Sequence, residues 1–274
     1  MKNISIKSIA LIGMVALAAC SKTGDGDADF AVDNIIPPDA LYNQALANLD
    51  AGDLKSSQER LEELNRQHPY SEYARRSLIL DTFINYRKGA YTEAATAGKR
   101  FLELYPADKD AAYAQYIIGM SYFKQMPHIT RDQTVTRQAF SAMSELVEKY
   151  PESEYVEDAK TKVRITRDQI AGKEMLVGRY YQERREFLAA INRFRRVVEE
   201  FQTTRHVEEA LARLTESYYS LGLIEEAQNT AAVLGHNYPD SEWYKDSYRL
   251  LQTGGVQPRE APNSWLSGLF PKNT

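Results

Sequence analysis

The sequence of 274 residues has a single cysteine, four histidines and few glycines or prolines for its length. No two of the histidines have the four-residue spacing that places two imidazole ligands on one helix face. The chain also lacks a glycine-rich phosphate loop and the Gly-x-Ser-x-Gly turn of many hydrolases. The sequence therefore predicts no enzyme, no metal site and no cofactor. The histidines are His68, His128, His206 and His236.

A long apolar run and an excess of positive charge are also missing. The N-terminal apolar segment, Ile9 to Ala19, has eleven residues, whereas a membrane-spanning helix needs about 20. Because Lys2 and Lys7 precede it, residues 1–19 are predicted to be an export signal. Removal of these two lysines would change the formal net charge from −4 to −6. A mildly acidic chain is a poor candidate for binding nucleic acid or for adhering electrostatically to an anionic bilayer.

The expected signal ends in the run Leu17-Ala18-Ala19-Cys20, which resembles the lipobox of bacterial lipoproteins. This resemblance implies cleavage before Cys20, an N-palmitoyl group and an S-diacylglycerol group on that residue, and hence a membrane anchor. Ser21, where an aspartate would retain such a protein at the inner membrane, implies passage to the outer membrane. The alternative is an ordinary secretory signal with a chance cysteine. If Cys20 carries lipid, no thiol remains for disulfides, catalysis or metal binding.

Composition divides the rest of the chain into three regions. Residues 20–38 contain Gly, Asp, Ala and Pro with few large apolar residues, which predicts a lipidated, extended tether. Residues 39–253 are rich in Leu, Ala, Glu, Arg and Tyr, which predicts helices. Residues 254–274 are predicted to be a linker followed by an apolar tail.

The helical region repeats a pattern of a turn glycine, a small residue, two apolar residues and a proline. In the first unit these are Gly52, Ser57, Leu61, Leu64 and Pro69, and in the second, displaced by 37, they are Gly89, Ala94, Gly98, Phe101 and Pro106. The third unit has about eight extra residues between its helices, and the fourth has Arg185 in the place of the glycine. The predicted units are 39–69, 73–106, 110–151, 155–202 and 206–239, followed by a capping helix over 241–252.

These intervals resemble the tetratricopeptide repeat, in which helical pairs stack on one another. The sequence thus predicts an all-α fold, a right-handed superhelical solenoid of about five tetratricopeptide-like helical pairs. The stretch from Tyr155 to Glu183 has no proline and only two glycines, which predicts one long helix joining the first three units to the last two.

A turn motif recurs after three of the units, in Pro69 to Tyr73, Pro151 to Tyr155 and Pro239 to Trp243. Its serine is placed to cap the next helix. Together with the lipobox, the repeats and the stretch from Lys173 to Tyr181, this motif resembles the BamD family of outer-membrane assembly lipoproteins over nearly the whole mature chain.

The resemblance implies a non-enzymatic, lipid-anchored subunit at the periplasmic face of the outer membrane. In that family the later repeats dock on the central β-barrel assembly subunit, alongside accessory lipoproteins, and the earlier repeats are thought to hold unfolded outer-membrane proteins. The alternative function is a tetratricopeptide lipoprotein scaffold for cell-wall or secretion machinery.

One stripe on the first helix of each early unit is a candidate peptide groove. In tetratricopeptide solenoids this stripe commonly lines the concave surface, although it could also be buried packing in the first two units. The candidate groove residues are Tyr42, Leu46, Ile79, Phe83, Tyr86, Tyr116 and Phe123.

Three further places are candidate partner contacts. The insertion from Lys124 to Gln133 carries Arg131 and Asp132, which could instead merely close a turn. In the fourth unit, the corresponding stripe of the first helix is more polar and carries Arg179. The tail carries Trp265 and Phe270, which could dock in a partner's groove, the preferred hypothesis, or back on the last repeat.

Overall fold

The computed structural model describes residues 35–262 and 264–270. Cys20, the expected signal peptide and all but the last four residues of the expected tether lie outside this part of the chain. From Pro37 onwards the described residues form one compact unit.

The described residues form eleven α-helices. They are α1 (Pro38–Asp50), α2 (Leu54–Gln67), α3 (Glu72–Arg87), α4 (Tyr91–Leu104), α5 (Ala111–Lys124), α6 (Thr134–Lys149), α7 (Val156–Glu183), α8 (Phe187–Glu200), α9 (Val207–Ser220), α10 (Ile224–Asn237) and α11 (Glu242–Thr253). The expected long helix is confirmed as α7, which has 28 residues.

Each odd-numbered helix from α1 to α9 packs along the even-numbered helix that follows it, and each pair packs on the next. The first three helical pairs, α1 to α6, form the front half, and the helices from α7 onwards form the rear half. Along the front half the odd-numbered helices also contact one another, α1 with α3, α3 with α5 and α5 with α7. The even-numbered helices have no comparable contacts among the described residues, so the pairs fan out on their side. The odd-numbered helices therefore line the inner face of the stack and the even-numbered helices its outer face. This arrangement confirms the predicted all-α tetratricopeptide-like solenoid.

The turns within the pairs explain why glycine recurs at one position. Gly52, Gly89 and Gly222 adopt φ angles of +79°, +76° and +76°, in the left-handed region that glycine enters without a steric penalty. Arg185 occupies the same position in the fourth pair with φ of +61°, and it is the one described residue other than glycine with a positive φ.

Close approach between two helices depends on a glycine within α7. Gly178 of α7 faces the buried ring of Phe194 in α8, and a Cβ added to the glycine would overlap that ring. Packing of this density cannot accept an extra methyl group without a shift of the neighbouring helix.

The serine caps follow the prediction only in part. The hydroxyl of Ser71 accepts from the backbone N–H of Ala74 at 3.1 Å and caps α3. The hydroxyl of Ser241, in the same motif before α11, makes no capping bond, and its buried oxygen has no hydrogen-bond partner among the described residues. The expected cap is therefore wrong at Ser241, where the backbone alone turns the chain into the helix. It is also wrong at Ser153, because no side chain caps α7.

Candidate functional site

The candidate groove residues lie on the inner face of the front half. All seven side chains are half-buried, whereas the sealed core beneath them is formed by others, such as Leu41, Leu61 and Ile84. We call the set of Tyr42, Leu46, Ile79, Phe83, Tyr86, Tyr116 and Phe123 the inner aromatic face. Its side chains are partly covered by their neighbours and partly open to solvent.

Aromatic contacts connect neighbouring helices along this face. The rings of Tyr42 and Tyr73 are 5.6 Å apart between centroids, and those of Tyr116 and Tyr155 stack at 4.8 Å with an interplanar angle of 21°. Tyr113 also lies beside Tyr155, with a centroid distance of 5.6 Å. Such pairs fix ring orientation beyond what apolar burial alone would do.

A charged pair lies at the end of the inner aromatic face, on the first turns of α7. The hydroxyl of Tyr116 donates to Oδ2 of Asp158 at 2.8 Å, and Nζ of Lys162 donates to Oδ1 of the same carboxylate at 2.8 Å. The ammonium of Lys162 also lies 5.3 Å from the ring centroid of Phe123, within cation–π distance. The face therefore combines aromatic surface with one positive and one negative group.

Burial and charge determine the protonation of these groups. The hydrogen bond from Lys162 is the largest effect on Asp158 and, with the bond from Tyr116, holds the pKa of its carboxyl below the usual range. Burial raises the pKa of Tyr113 to about 12 and also raises the pKa of Tyr116, to which the bond with Asp158 adds. At neutral pH the tyrosines are therefore neutral, and Asp158 is an ionised carboxylate that accepts hydrogen bonds from Lys162 and Tyr116.

Sequence reasoning missed part of this face, namely Tyr73, Tyr113, Tyr155, Asp158 and Lys162. A signal for two of them was present in the turn motif, whose final aromatic is Tyr73 in one copy and Tyr155 in another. Tyr73 packs on Tyr42 of the preceding unit, and Tyr155 packs on Tyr116 of the preceding unit. The final aromatic of the motif is thus a repeated component of the inner face.

The inner face of the rear half is polar and internally paired. The guanidinium of Arg179 donates from Nη1 to both carboxylate oxygens of Glu209, at 2.8 and 2.9 Å. Arg213 pairs with Glu216 at 2.9 Å and lies 5.2 Å from the ring centroid of Trp243. Arg179, a candidate partner contact, therefore already has an ionic partner across α7 and α9.

The insertion between α5 and α6 is fastened to α7 by two glutamines. The buried amide of Gln133 donates to the carbonyls of His128 and Arg131, both at 3.1 Å. Gln169 of α7 donates to Oε1 of Gln133 at 2.8 Å and to the carbonyl of Pro127 at 2.7 Å. These bonds give the loop a fixed shape despite its position at the surface.

The two candidate residues of this loop differ in their surroundings. The side chain of Arg131 is exposed. Asp132 is also exposed, but its Oδ1 accepts from the backbone N–H of Thr134 at 2.8 Å, which closes the turn into α6. The turn-closing alternative thus accounts for Asp132, and Arg131 keeps an exposed side chain.

The tail packs against the rear half of this chain. Leu266 is 3 % exposed and belongs to the rear core cluster, against which Trp265, Leu269 and Phe270 are partly buried. The guanidinium of Arg195 in α8 lies 4.3 Å from the ring centroid of Trp265. This corrects the preferred expectation for Trp265 and Phe270, because the tail covers the last repeats instead of being held free for a partner.

The expected linker before the tail is also bound along its length. The side chain of Gln228 in α10 donates to the carbonyl of Gln257 at 2.6 Å, and Oδ1 of Asn229 accepts from the N–H of Ala261 at 2.8 Å. The linker therefore lies along α10, whose side chains hydrogen-bond to the linker backbone. Composition alone could not reveal these bonds.

Two kinds of feature are absent from the part of the chain that the structure describes. Acidic, histidine and cysteine side chains form no group of three suited to a metal ion in that part of the chain. Within residues 35–262 and 264–270, no helix combines the length and the apolar character that crossing a bilayer requires.

Comparison with known proteins gives consistent matches. A family model described as "YfiO: Outer membrane lipoprotein" matches residues 35–234. The outer membrane protein assembly factor BamD of Caulobacter vibrioides is 43 % identical over 226 residues, which cover 82 % of this chain and 74 % of that protein. The BamD of Rickettsia prowazekii is 35 % identical over 247 residues, or 90 % of this chain and 96 % of the relative.

Solved structures of repeat proteins are similar to this chain at lower sequence identity. The TPR2AB domain of yeast Sti1 in complex with an Hsp90 peptide gives a TM-score of 0.39 with 12 % identity, covering 80 % of this chain and 84 % of that one. A tetratricopeptide repeat protein of Parabacteroides merdae gives 0.36 with 17 % identity, covering 80 % and 75 %.

Proposed function

Because the chain belongs to the BamD family of outer membrane lipoproteins, we propose that it is a non-enzymatic subunit of the machinery that assembles β-barrel proteins in the outer membrane. It is held at the periplasmic face through lipid on Cys20. Its partners are the central β-barrel assembly subunit, accessory lipoproteins and unfolded outer-membrane proteins. The two halves of the solenoid have different surfaces, which supports a separate role for each.

The inner aromatic face is the observation that supports substrate binding by the earlier repeats. An unfolded barrel protein is an extended chain with alternating apolar side chains. Half-exposed aromatic rings spaced along α1, α3 and α5 offer contact area at a small loss of conformational entropy. Lys162, paired with Asp158 at the end of the face, adds a cation that could meet an acidic group of the bound segment.

The polar rear half supports the scaffold role. Its paired side chains, such as Arg179 with Glu209, give a fixed pattern of charge suited to a folded partner rather than an unfolded segment. Exposed apolar side chains at the start of α8 and just before α10, Leu188 and Leu223, provide the apolar part of such an interface. The later repeats thus form the docking surface for the central barrel subunit.

Binding of a synthetic peptide tests the substrate role. The probe is a ten-residue strand of alternating apolar residues that ends in phenylalanine, titrated against the full mature protein. Tyr86→Ser and Phe123→Ser should each weaken its affinity by about 1–2 kcal/mol, a factor of five to thirty. Tyr70→Ser is the matched control, since Tyr70 is fully exposed in the turn between α2 and α3.

Thermal melting of the same variants separates binding from folding. If the side chains are groove residues, the melting temperatures remain close to that of the wild type while peptide affinity falls. Unchanged affinity in Tyr86→Ser and Phe123→Ser would refute substrate binding at this face. A pull-down from solubilised membranes tests the scaffold role, because recovery of cell-wall enzymes instead of a large barrel protein would favour the alternative function.

A further inference from the structure

The outer face of the rear half shows how this chain binds a tryptophan. Trp265 of the tail lies beneath Arg195 of α8, 4.3 Å from guanidinium carbon to ring centroid. Tyr218 of α9 is buried in the rear core cluster, against which Trp265 packs. On α10, Asn229 donates to the hydroxyl of Ser264 at 2.6 Å. We call this place the tail groove.

The internal repeat places the same pair of side chains on the outer face of the front half. An offset of 96 residues relates the second helix of the second unit to that of the fourth, and the first helix of the third unit to that of the fifth. Lys99 therefore corresponds to Arg195, and Tyr122 to Tyr218. The ammonium of Lys99 lies 5.4 Å from the ring centroid of Tyr122. The cation and the tyrosine that surround Trp265 in the rear are thus present, next to each other, in the front.

The other two outer grooves lack this pair. At the corresponding positions, the groove between α2 and α4 has Glu62 and Asn85, and the groove between α6 and α8 has Ser144 and Tyr181. Neither combines a cation with a tyrosine. The pair is therefore not a general requirement of helix stacking, which would place it in every unit.

The front pair belongs to a groove of about 400 Å³ between α4 and α6. Leu102, Ile118 and Ala142 give it an apolar floor, and Ser141 stands at the position that corresponds to Asn229 of the tail groove. We call this place the front groove. The cation, the tyrosine and the polar side chain of the following pair in the tail groove therefore all have counterparts in the front groove.

We propose that the front groove is a binding site for a tryptophan-bearing linear segment of a partner protein. The segment has the chemistry of residues 264–270 of this chain, with an indole that inserts between Lys99 and Tyr122. A cation–π contact and a tyrosine hydroxyl then hold the ring while flanking apolar side chains cover the floor. The site is on the face opposite the inner aromatic face, so the proposal stands apart from the proposed substrate role.

The occupant is a partner rather than a second copy of this chain. Leu266 is buried in the rear core, and two side chains of α10 hold the linker of the same tail. The tail of each copy is therefore already engaged within its own chain. A second copy could fill the front groove only by losing these contacts.

The probe for this site is a labelled synthetic peptide with the sequence of residues 256–270, titrated against the full mature protein by fluorescence anisotropy. Saturable binding is expected, and Lys99→Ala should weaken it about tenfold. A peptide with alanine in the place of Trp265 should not bind. Lys55→Ala removes an exposed lysine elsewhere and is the matched control.

Two further variants determine where the peptide binds. Tyr122→Phe should weaken binding without loss of the ring, and Arg195→Ala should leave the affinity for the front groove unchanged. Loss of binding in Arg195→Ala but not in Lys99→Ala would show exchange with the resident tail, and would overturn the proposal. So would the absence of any saturable binding.

Cross-linking and sedimentation complete the test. A photoreactive phenylalanine in the place of Trp265 in the peptide should cross-link to residues of α4, α5 or α6, and cross-links confined to α8 and α10 would contradict the assignment. Concentration-dependent dimers of the wild type that Lys99→Ala abolishes would assign the front groove to a second copy, and would refute a partner segment as its occupant.

Discussion

Replacement of Leu266 by alanine is the strongest test of how the tail is held. Leu266 is 3 % exposed, and it lines one cavity together with Asn229 and Val233 of α10 and Phe270 of the tail. Leucine-to-alanine changes at buried sites cost about 2–5 kcal/mol, with the lower values where the surroundings can collapse. Because the tail lies at the edge of the solenoid, we expect a loss of about 2–3 kcal/mol.

This loss is measured by urea denaturation of the full mature protein and by hydrogen exchange. A solenoid loses stability unit by unit, so amides of α10 and of the linker should exchange faster while those of α1 to α4 remain unchanged. Leu221→Ala, the same change at a partly exposed turn residue, is the matched control and should stay within about 0.5 kcal/mol of the wild type.

An effect of Leu266→Ala as small as that of Leu221→Ala would refute the reasoning. It would show that the tail contributes no packing energy, as expected of a segment reserved for a partner. Truncation after Gln257 extends the test, because it should destabilise the last repeats at least as much as the point variant.

Other predictions concern the turns, the charged pair and the anchor. Arg185→Gly should stabilise the protein by about 0.5–1 kcal/mol, since φ is +61° at this position; destabilisation in urea would contradict the strain. The depressed pKa of Asp158 makes its pairing with Lys162 a source of stability above about pH 4 that is lost as the pH falls further. In Asp158→Asn the urea midpoint should therefore fall less steeply as the pH is lowered below about 4 than it does in the wild type. An equally steep fall in the variant would contradict this. Cys20→Ser should abolish lipid attachment, and a lipidated mutant in the outer-membrane fraction, detected by mass spectrometry, would exclude the assigned anchor.

The helical pairs could be predicted from the sequence because their determinants are local. A turn glycine, a small residue and two apolar residues at fixed intervals specify where a helix ends and which side of the next one is buried. Even the exception at Arg185 keeps the left-handed turn that its position requires. The spacing of apolar residues likewise predicted that the side chains of the inner aromatic face share one side of α1, α3 and α5.

The remaining features depend on contacts between residues far apart in the chain. Arg195 and Trp265 meet across 70 residues, and the pattern around neither residue indicates the other. The composition of the linker suggested freedom, but side chains of α10 bind its backbone. Gln133 and Gln169, which give the insertion its shape, are ordinary polar residues by sequence and become specific only once their helices are packed.

The length of α7 has a consequence for how this chain can change. One continuous helix of 28 residues carries Asp158 of the front face near its start and Arg179 of the rear face near its end. Each residue advances an α-helix by about 100° and 1.5 Å, so inserting a single residue between these two positions would rotate one face away from the other by more than a quarter turn. Insertions of about seven or eleven residues, close to two or three full turns, would restore the phase. One helix therefore fixes the rotation of the two faces relative to each other, and we expect single-residue insertions to be tolerated in the loops but not inside α7.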